Sequence, residues 1–174
     1  MVIKMNWLLP VSTCIGFAGM LLLLICYQFE DFRKVLLAKF SADCLWAVHY
    51  ALIGGFSGLT VNVICAVREI VYMFDQNKKT RNIWLIFFMI AGWIISYFRW
   101  NGIVSILPTI VFTAGAYSFW QRDVRVTRAF AIFNACLMFT YDIFVSSYIG
   151  MLSESLTIVT VIIAIVKNSR KAHC

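Results

Sequence analysis

The sequence predicts an all-α polytopic membrane protein. Seven transmembrane helices form two parallel three-helix repeats joined by a linker helix (3+1+3), with the N-terminus outside and the C-terminus in the cytoplasm. Three observations predict this. The 174-residue chain is 62% hydrophobic and 13% charged, with a mean hydropathy of +0.86, far above the usage of soluble domains. Its basic residues gather on one side of the apolar runs. The hydropathy pattern of the first three runs also returns in phase 92 residues later.

A span of about 20 apolar residues crosses a hydrocarbon core of about 30 Å, so the length admits roughly seven crossings with short loops and no soluble domain. The first helix, 7–28, follows Lys4 in the manner of a secretory signal, but no small-residue cleavage site comes after it, so it is read as a retained helix. The second, 34–54, and third, 57–75, are divided by the turn signal "GGFSG". "DQNKKTR" precedes the fourth, 82–98, and "RWNG" precedes the fifth, 101–120. The sixth, 126–147, and the seventh, 149–167, meet at "SSYIG". The repeats are therefore 7–75 and 101–167, with 82–98 as the linker.

Orientation follows from charge. Arg33, Lys34 and Lys39, then Lys78, Lys79 and Arg81, then Arg122, Arg125 and Arg128, then Lys167, Arg170 and Lys171 fall on one side, which is twelve of the fifteen cations. Only Lys4 and Arg99 fall on the other, and Arg68 lies within a helix. By the positive-inside rule the side of the twelve is cytoplasmic. The net charge of +7 is thereby a topology signal, and no nucleic acid is needed as a partner.

The repeat places "DFR" at 31–33 on "DVR" at 123–125, Cys44-Leu45 on Cys136-Leu137, and Gly58 on Gly150. Three helices per unit plus one linker give two units of the same orientation, related by an axis along the membrane normal, with a binding cavity expected between them.

Polar side chains within the apolar runs point to the site. In a tight helical hairpin centred near Phe56, Asp43 lies level with Arg68 and Glu69, and His49 and Tyr50 lie level with Val63 and Asn62. A second hairpin centred near Tyr148 puts Asp142 level with Glu154 and Tyr141 level with Ser155. Two layers result. The cytoplasmic one is a gate or ion pair of Asp43, Arg68 and Glu69, because an isolated charge at that depth costs about 2.5–3.5 kcal/mol and pairing is the least expensive remedy. Lys39, one helical turn before Asp43, offers that acid a competing partner. The outer layer holds His49, Tyr50, Asn62, Tyr141, Asp142 and Glu154 as a substrate or proton site. Two neighbouring carboxylates in a low dielectric do not both ionise cheaply, which makes a proton exchangeable and an imidazole able to share it. The competing reading leaves the two acids hydrated at the outer surface and His49 bonded to a backbone carbonyl. Asp43 and His49 themselves differ by about 9 Å of rise and roughly 120° of rotation, so they serve separate sites.

Trp46 and Trp93 are the tryptophans deep enough to line a cavity, with lipid or core packing as the competing reading for each, while the others lie nearer helix ends, where interfacial belts form. "GFAG" and "TAGA" are small-residue strips for close helix packing. The six cysteines show no paired spacing and are read as packing residues, with no metal site.

The segments "WAVHYALIGGFSG", "CAVREIV", "SILPTIVFTAGAYSFWQ" and "CLMFTYDIFVSSYIGMLSES", together most of the chain, resemble the small bacterial inner-membrane proteins typified by YgjV. That family looks related to the SWEET, PQ-loop and PnuC-type nicotinamide-riboside transporter group. The resemblance implies a multi-pass protein of the bacterial plasma membrane with 3+1+3 architecture. The sugar-transporting SWEETs use hinge prolines in the first two helices of each repeat. Here the prolines are Pro10 and Pro108, which are not equivalent under the repeat.

The expected function is membrane transport of a small polar metabolite through the cavity between the repeats, coupled to protons. The alternative is a non-transporting receptor or assembly protein that binds a peptide or lipid in the bundle. Expected partners are the lipid bilayer, a small-molecule substrate, protons and further copies of the chain. No cofactor is called for, and no protease, hydrolase or phosphate-loop motif marks an enzyme.

Overall fold

The structure is a computed structural model and describes residues 5–52, 56–98, 102–144 and 148–172. Among these residues it is entirely helical. The seven α-helices are α1 (Met5–Cys26), α2 (Phe32–Leu52), α3 (Phe56–Phe74), α4 (Lys78–Phe98), α5 (Ile106–Trp120), α6 (Val124–Phe144) and α7 (Tyr148–Ala172), with a 3-10 turn at Ile103–Ser105 leading into α5. Three segments are long and apolar enough to cross a membrane: Phe32–Leu52, Lys78–Phe98 and Met151–Asn168. Pro10–Cys26 and Ile106–Trp120 are apolar but shorter.

Side chains cap the helices where the sequence changes from polar to apolar. Asp31 precedes α2 and accepts the backbone N–H of Arg33 at 2.8 Å, and Asp123 precedes α6 and accepts that of Arg125 at 2.7 Å. The first amides of a helix lack internal partners, so an acid at this position both bonds them and meets the positive end of the helix dipole. Asn77 does the same for α4, accepting Lys79 N–H at 3.0 Å. For that reason α4 begins at Lys78 and not at the expected 82, taking the polar "KKTR" into its first turn. Pro108 sits in the first turn of α5, where a missing N–H leaves no bond unmade. Arg122, in the middle of the α5–α6 connection, has φ 56°, and its guanidinium donates to the Asp75 carbonyl at 2.7 Å, which holds this left-handed residue in place.

The chain divides into two compact units, Met1–Phe74 and Asp75–Cys174. In the first, α2 is central and packs against both α1 and α3. In the second, α4 packs on α5, α5 on α6 and α6 on α7. The helices approach closely at small residues: Gly16 and Gly19 of α1 lie against His49 and Trp46 of α2, and Gly92 of α4 lies against Phe112 of α5.

The distribution of polarity is the reverse of a soluble protein's. Asp43, Arg68, Glu69, Arg128 and Asp142 are buried, while Phe74, Tyr97 and Phe98 stand open at 74%, 78% and 81% of their full exposure. An exposed surface of Phe, Ile and Val needs an apolar surrounding, and a buried charge needs a partner.

The units also share local structure. The bounds of α6 repeat those of α2 at the 92-residue offset, and α7 begins at that offset from α3. The Asp31 and Asp123 caps correspond in the same way. Burial corresponds too: Val35, Leu36, Asp43, Glu69 and Tyr72 match Thr127, Arg128, Ala135, Val161 and Ala164, and all ten are buried.

Candidate functional site

The first unit holds a buried group of charges on the facing sides of α2 and α3. Lys39 donates from Nζ to Asp43 Oδ1 at 2.6 Å, and Arg68 donates from Nη2 to Glu69 Oε1 at 3.0 Å. Asp43 and Arg68 are 3% exposed and Glu69 is fully buried. The expected level of Asp43 with Arg68 and Glu69 corresponds to this arrangement, but the expected ionic partner of Asp43 does not. The acid is paired with Lys39 of its own helix, one turn away, and Arg68 folds back on its neighbour Glu69. The physical reason is reach: a lysine four residues earlier lies over the same helix face, and its long stem carries the ammonium to the carboxylate. Both of these ion pairs are made within a single helix.

Asp43 and Glu69 lie within hydrogen-bonding reach of one another across the α2–α3 interface. Their second oxygens, Asp43 Oδ2 and Glu69 Oε2, are closed to water and accept no hydrogen bond from a described residue. Cys26 and Tyr27, at the end of α1, and Cys65 of α3 complete the surroundings. Tyr72, one turn beyond Glu69, is also fully buried.

His49 belongs to the other face of α2. Its Nδ1 lies 2.6 Å from the Ser12 carbonyl of α1. A carbonyl can only accept, so Nδ1 carries the hydrogen and a neutral ring keeps Nε2 as its acceptor. Gly16 makes this contact possible. Ser12 O already faces the amide of Gly16 in the helical ladder, and a Cβ on residue 16 would come within 2.9 Å of His49 Nδ1. Trp46, His49 and Tyr50 form an aromatic group on α2. The Trp46 and His49 rings meet edge to face at 5.4 Å, those of His49 and Tyr50 at 5.3 Å, and Trp46 stacks on Tyr50 at 5.8 Å. Asn62 of α3 is half-buried.

In the second unit Asp142 of α6 is buried, and Tyr141 and Glu154 are half-buried on α6 and α7, two helices that pack together. The outer-layer residues are thus divided between units, His49, Tyr50 and Asn62 in one and Tyr141, Asp142 and Glu154 in the other. Trp93 is 49% exposed on α4, in an open apolar strip with Ile90, Ile94, Tyr97 and Phe98. Apart from Ser96, its neighbours at helical spacing, Met89, Ile90 and Tyr97, are apolar or aromatic, so this strip of α4 is suited to lipid.

Sequence reasoning missed the burial of Arg128, which it counted among the cytoplasmic cations. The side chain is 2% exposed, the largest fully buried one among the described residues. The signal was available in the repeat, since Arg128 corresponds to Leu36, a core residue of α2. Of the cysteines described, Cys26 is buried, with its thiol directed to the Leu23 carbonyl at 3.0 Å, whereas Cys14 and Cys136 face outward and do not pack in the core.

Neither a curated protein nor a solved structure matches the chain. A family model does, over residues 10–172, and with almost the whole sequence matched, the chain belongs to the Imp-YgjV family of bacterial inner membrane proteins.

Proposed function

We propose that this protein is a transporter that carries a small polar metabolite across the bacterial inner membrane, with proton movement coupled to the step. The observation that carries the reading is the quartet of Lys39, Asp43, Arg68 and Glu69, Lys39 half-buried and the other three buried, in one hairpin of an otherwise apolar unit. Ionisable residues inside membrane helices are expensive and mark solute pathways and proton relays. A protein needing only a stable hairpin would gain as much from apolar side chains of similar volume, because desolvating two ion pairs offsets most of their attraction.

In this reading the helices form two parallel three-helix repeats around the linker α4, as in the SWEET group, with seven crossings and a cytoplasmic C-terminus. The recurrence of helix bounds, caps and buried positions at one offset supports the repeat. The aromatic group of Trp46, His49 and Tyr50 offers ring faces and one imidazole acceptor to a polar, ring-bearing solute.

Reconstitution in proteoliposomes tests this. Labelled small polar metabolites, supplied as a mixture, should accumulate in the lumen of vesicles containing the protein, and accumulation should rise several-fold when a pH gradient is imposed. A solute that binds and never reaches the lumen would make the protein a receptor and sink the proposal.

A further inference from the structure

We propose that Asp43 and Glu69 share one exchangeable proton, held between Asp43 Oδ2 and Glu69 Oε2, and that this proton latches α2 to α3. The geometry has three parts. Each acid has a base on its own helix, Lys39 for Asp43 and Arg68 for Glu69. Each acid spends one oxygen on that base, and the other oxygen is closed to water and accepts no hydrogen bond from a described residue. The two carboxyl groups reach each other across the helix interface. Two carboxylate oxygens brought together with no donor between them repel, and a buried acceptor left unmade costs about 1–3 kcal/mol. A proton removes both penalties, and it is the one occupant that needs no space.

The shorter ion pair identifies the carrier. Lys39 lies 2.6 Å from Asp43, against 3.0 Å between Arg68 and Glu69, so Asp43 has the closer counter-charge. The hydrogen therefore belongs on Glu69 Oε2 and is donated to Asp43 Oδ2. With it in place the quartet holds two cations and one anion. When the Glu69 O–H bond breaks and the proton leaves to water, the quartet is neutral, but two carboxylates face each other across α2 and α3. The helices are then joined by a repulsive contact where a hydrogen bond had been. The other titratable groups near the pair are Cys26 of α1, Tyr27 just after it, Cys44 of α2, and Cys65 and Tyr72 of α3, all neutral when protonated.

The latch supplies the proton-sensitive element of the proposed transporter and rests on that reading for what it gates. Proton holding itself can be measured without transport. Infrared spectra of the full chain in lipid nanodiscs at neutral pH should contain a protonated-carboxyl stretch that shifts in heavy water. Carboxyl-labelled glutamate should move this band and labelled aspartate should not. Glu69→Gln should abolish it, and Glu154→Gln should leave it intact. If Glu69→Gln does not fold, labelled glutamate in the Glu30→Gln, Glu154→Gln double variant leaves Glu69 as the labelled acid, and the shifted band should remain. The proposal is overturned by the absence of such a band, by a band insensitive to labelled glutamate, or by one that persists in Glu69→Gln. A protein that shows the band and moves no solute would refute transport and leave the shared proton standing.

Discussion

At the scale of single residues, the intrahelical pairing of Lys39 with Asp43 leads to a sharp expectation about stability. Lys39→Met preserves the apolar stem and removes the ammonium, leaving Asp43 buried without its base. Breaking a buried pair from one side typically costs about 3–5 kcal/mol, most of it the burden of the stranded charge. Asp43→Asn in the same chain should recover much of the loss, so that the double variant is less destabilised than the sum of the two singles. Unfolding midpoints in mild detergent read this directly, and strict additivity would refute the pairing. The same cycle between Asp43 and Arg68 should show a smaller coupling, since each has its own partner. The residues of this cluster were legible in the sequence as a level in a hairpin. The pairing within it was not, because equal depth fixes which residues are near and leaves the choice of partner to side-chain reach. His49 shows the complementary case. A six-residue separation from Asp43 is enough to place the two on different faces of α2, and it does, one toward Ser12 of α1 and the other toward Glu69 of α3.

At the scale of elements, close helix approach is set by what a side chain would displace. A methyl group on Gly92 would run into the ring of Phe112, with Cε1 at 2.7 Å and Cδ1 closer still. Gly92→Ala should therefore destabilise the α4–α5 contact by about 1–3 kcal/mol, the usual cost of overpacking. Adding Phe112→Ala should remove the clash and return part of that loss, as thermal unfolding of the two variants would show; a Gly92→Ala chain as stable as the parent would refute the packing. The existence and order of all seven helices were legible, because long apolar runs punctuated by Gly, Asn and charge leave few other readings. Their ends were less so. α4 starts at Lys78 because Asn77 caps it, and α7 runs to Ala172 because a polar helical tail follows its apolar stretch. Hydropathy is blind to both, since a helix ends where its backbone bonds end, and its apolar face stops sooner.

At the scale of the whole molecule, the repeat joins conserved local geometry to divergent charge. Positions that coincide in burial differ in chemistry: Asp43 and Glu69 of the first unit are matched by Ala135 and Val161 of the second, whereas Leu36 is matched by the buried Arg128. The proton-holding quartet is thus a property of one unit. This bears on how the chain enters the membrane. Only three described segments are long and apolar enough to cross by composition, and α3, which carries Arg68 and Glu69, is not among them. Pairing within a helix alters that balance, because Lys39 enters with Asp43 as a neutral pair and the Arg68 guanidinium is met by its neighbour Glu69. In the proposed topology the chain makes seven crossings, with the basic clusters retained in the cytoplasm. Reporter fusions to the full chain test the count. Green fluorescent protein at the C-terminus should fluoresce, alkaline phosphatase at the same point should be silent, and phosphatase placed between α4 and α5 should be active. An active phosphatase at the C-terminus would mean an even number of crossings for a chain whose N-terminus is outside, and α3, the helix with the adjacent charges, would be the first candidate to have failed to insert.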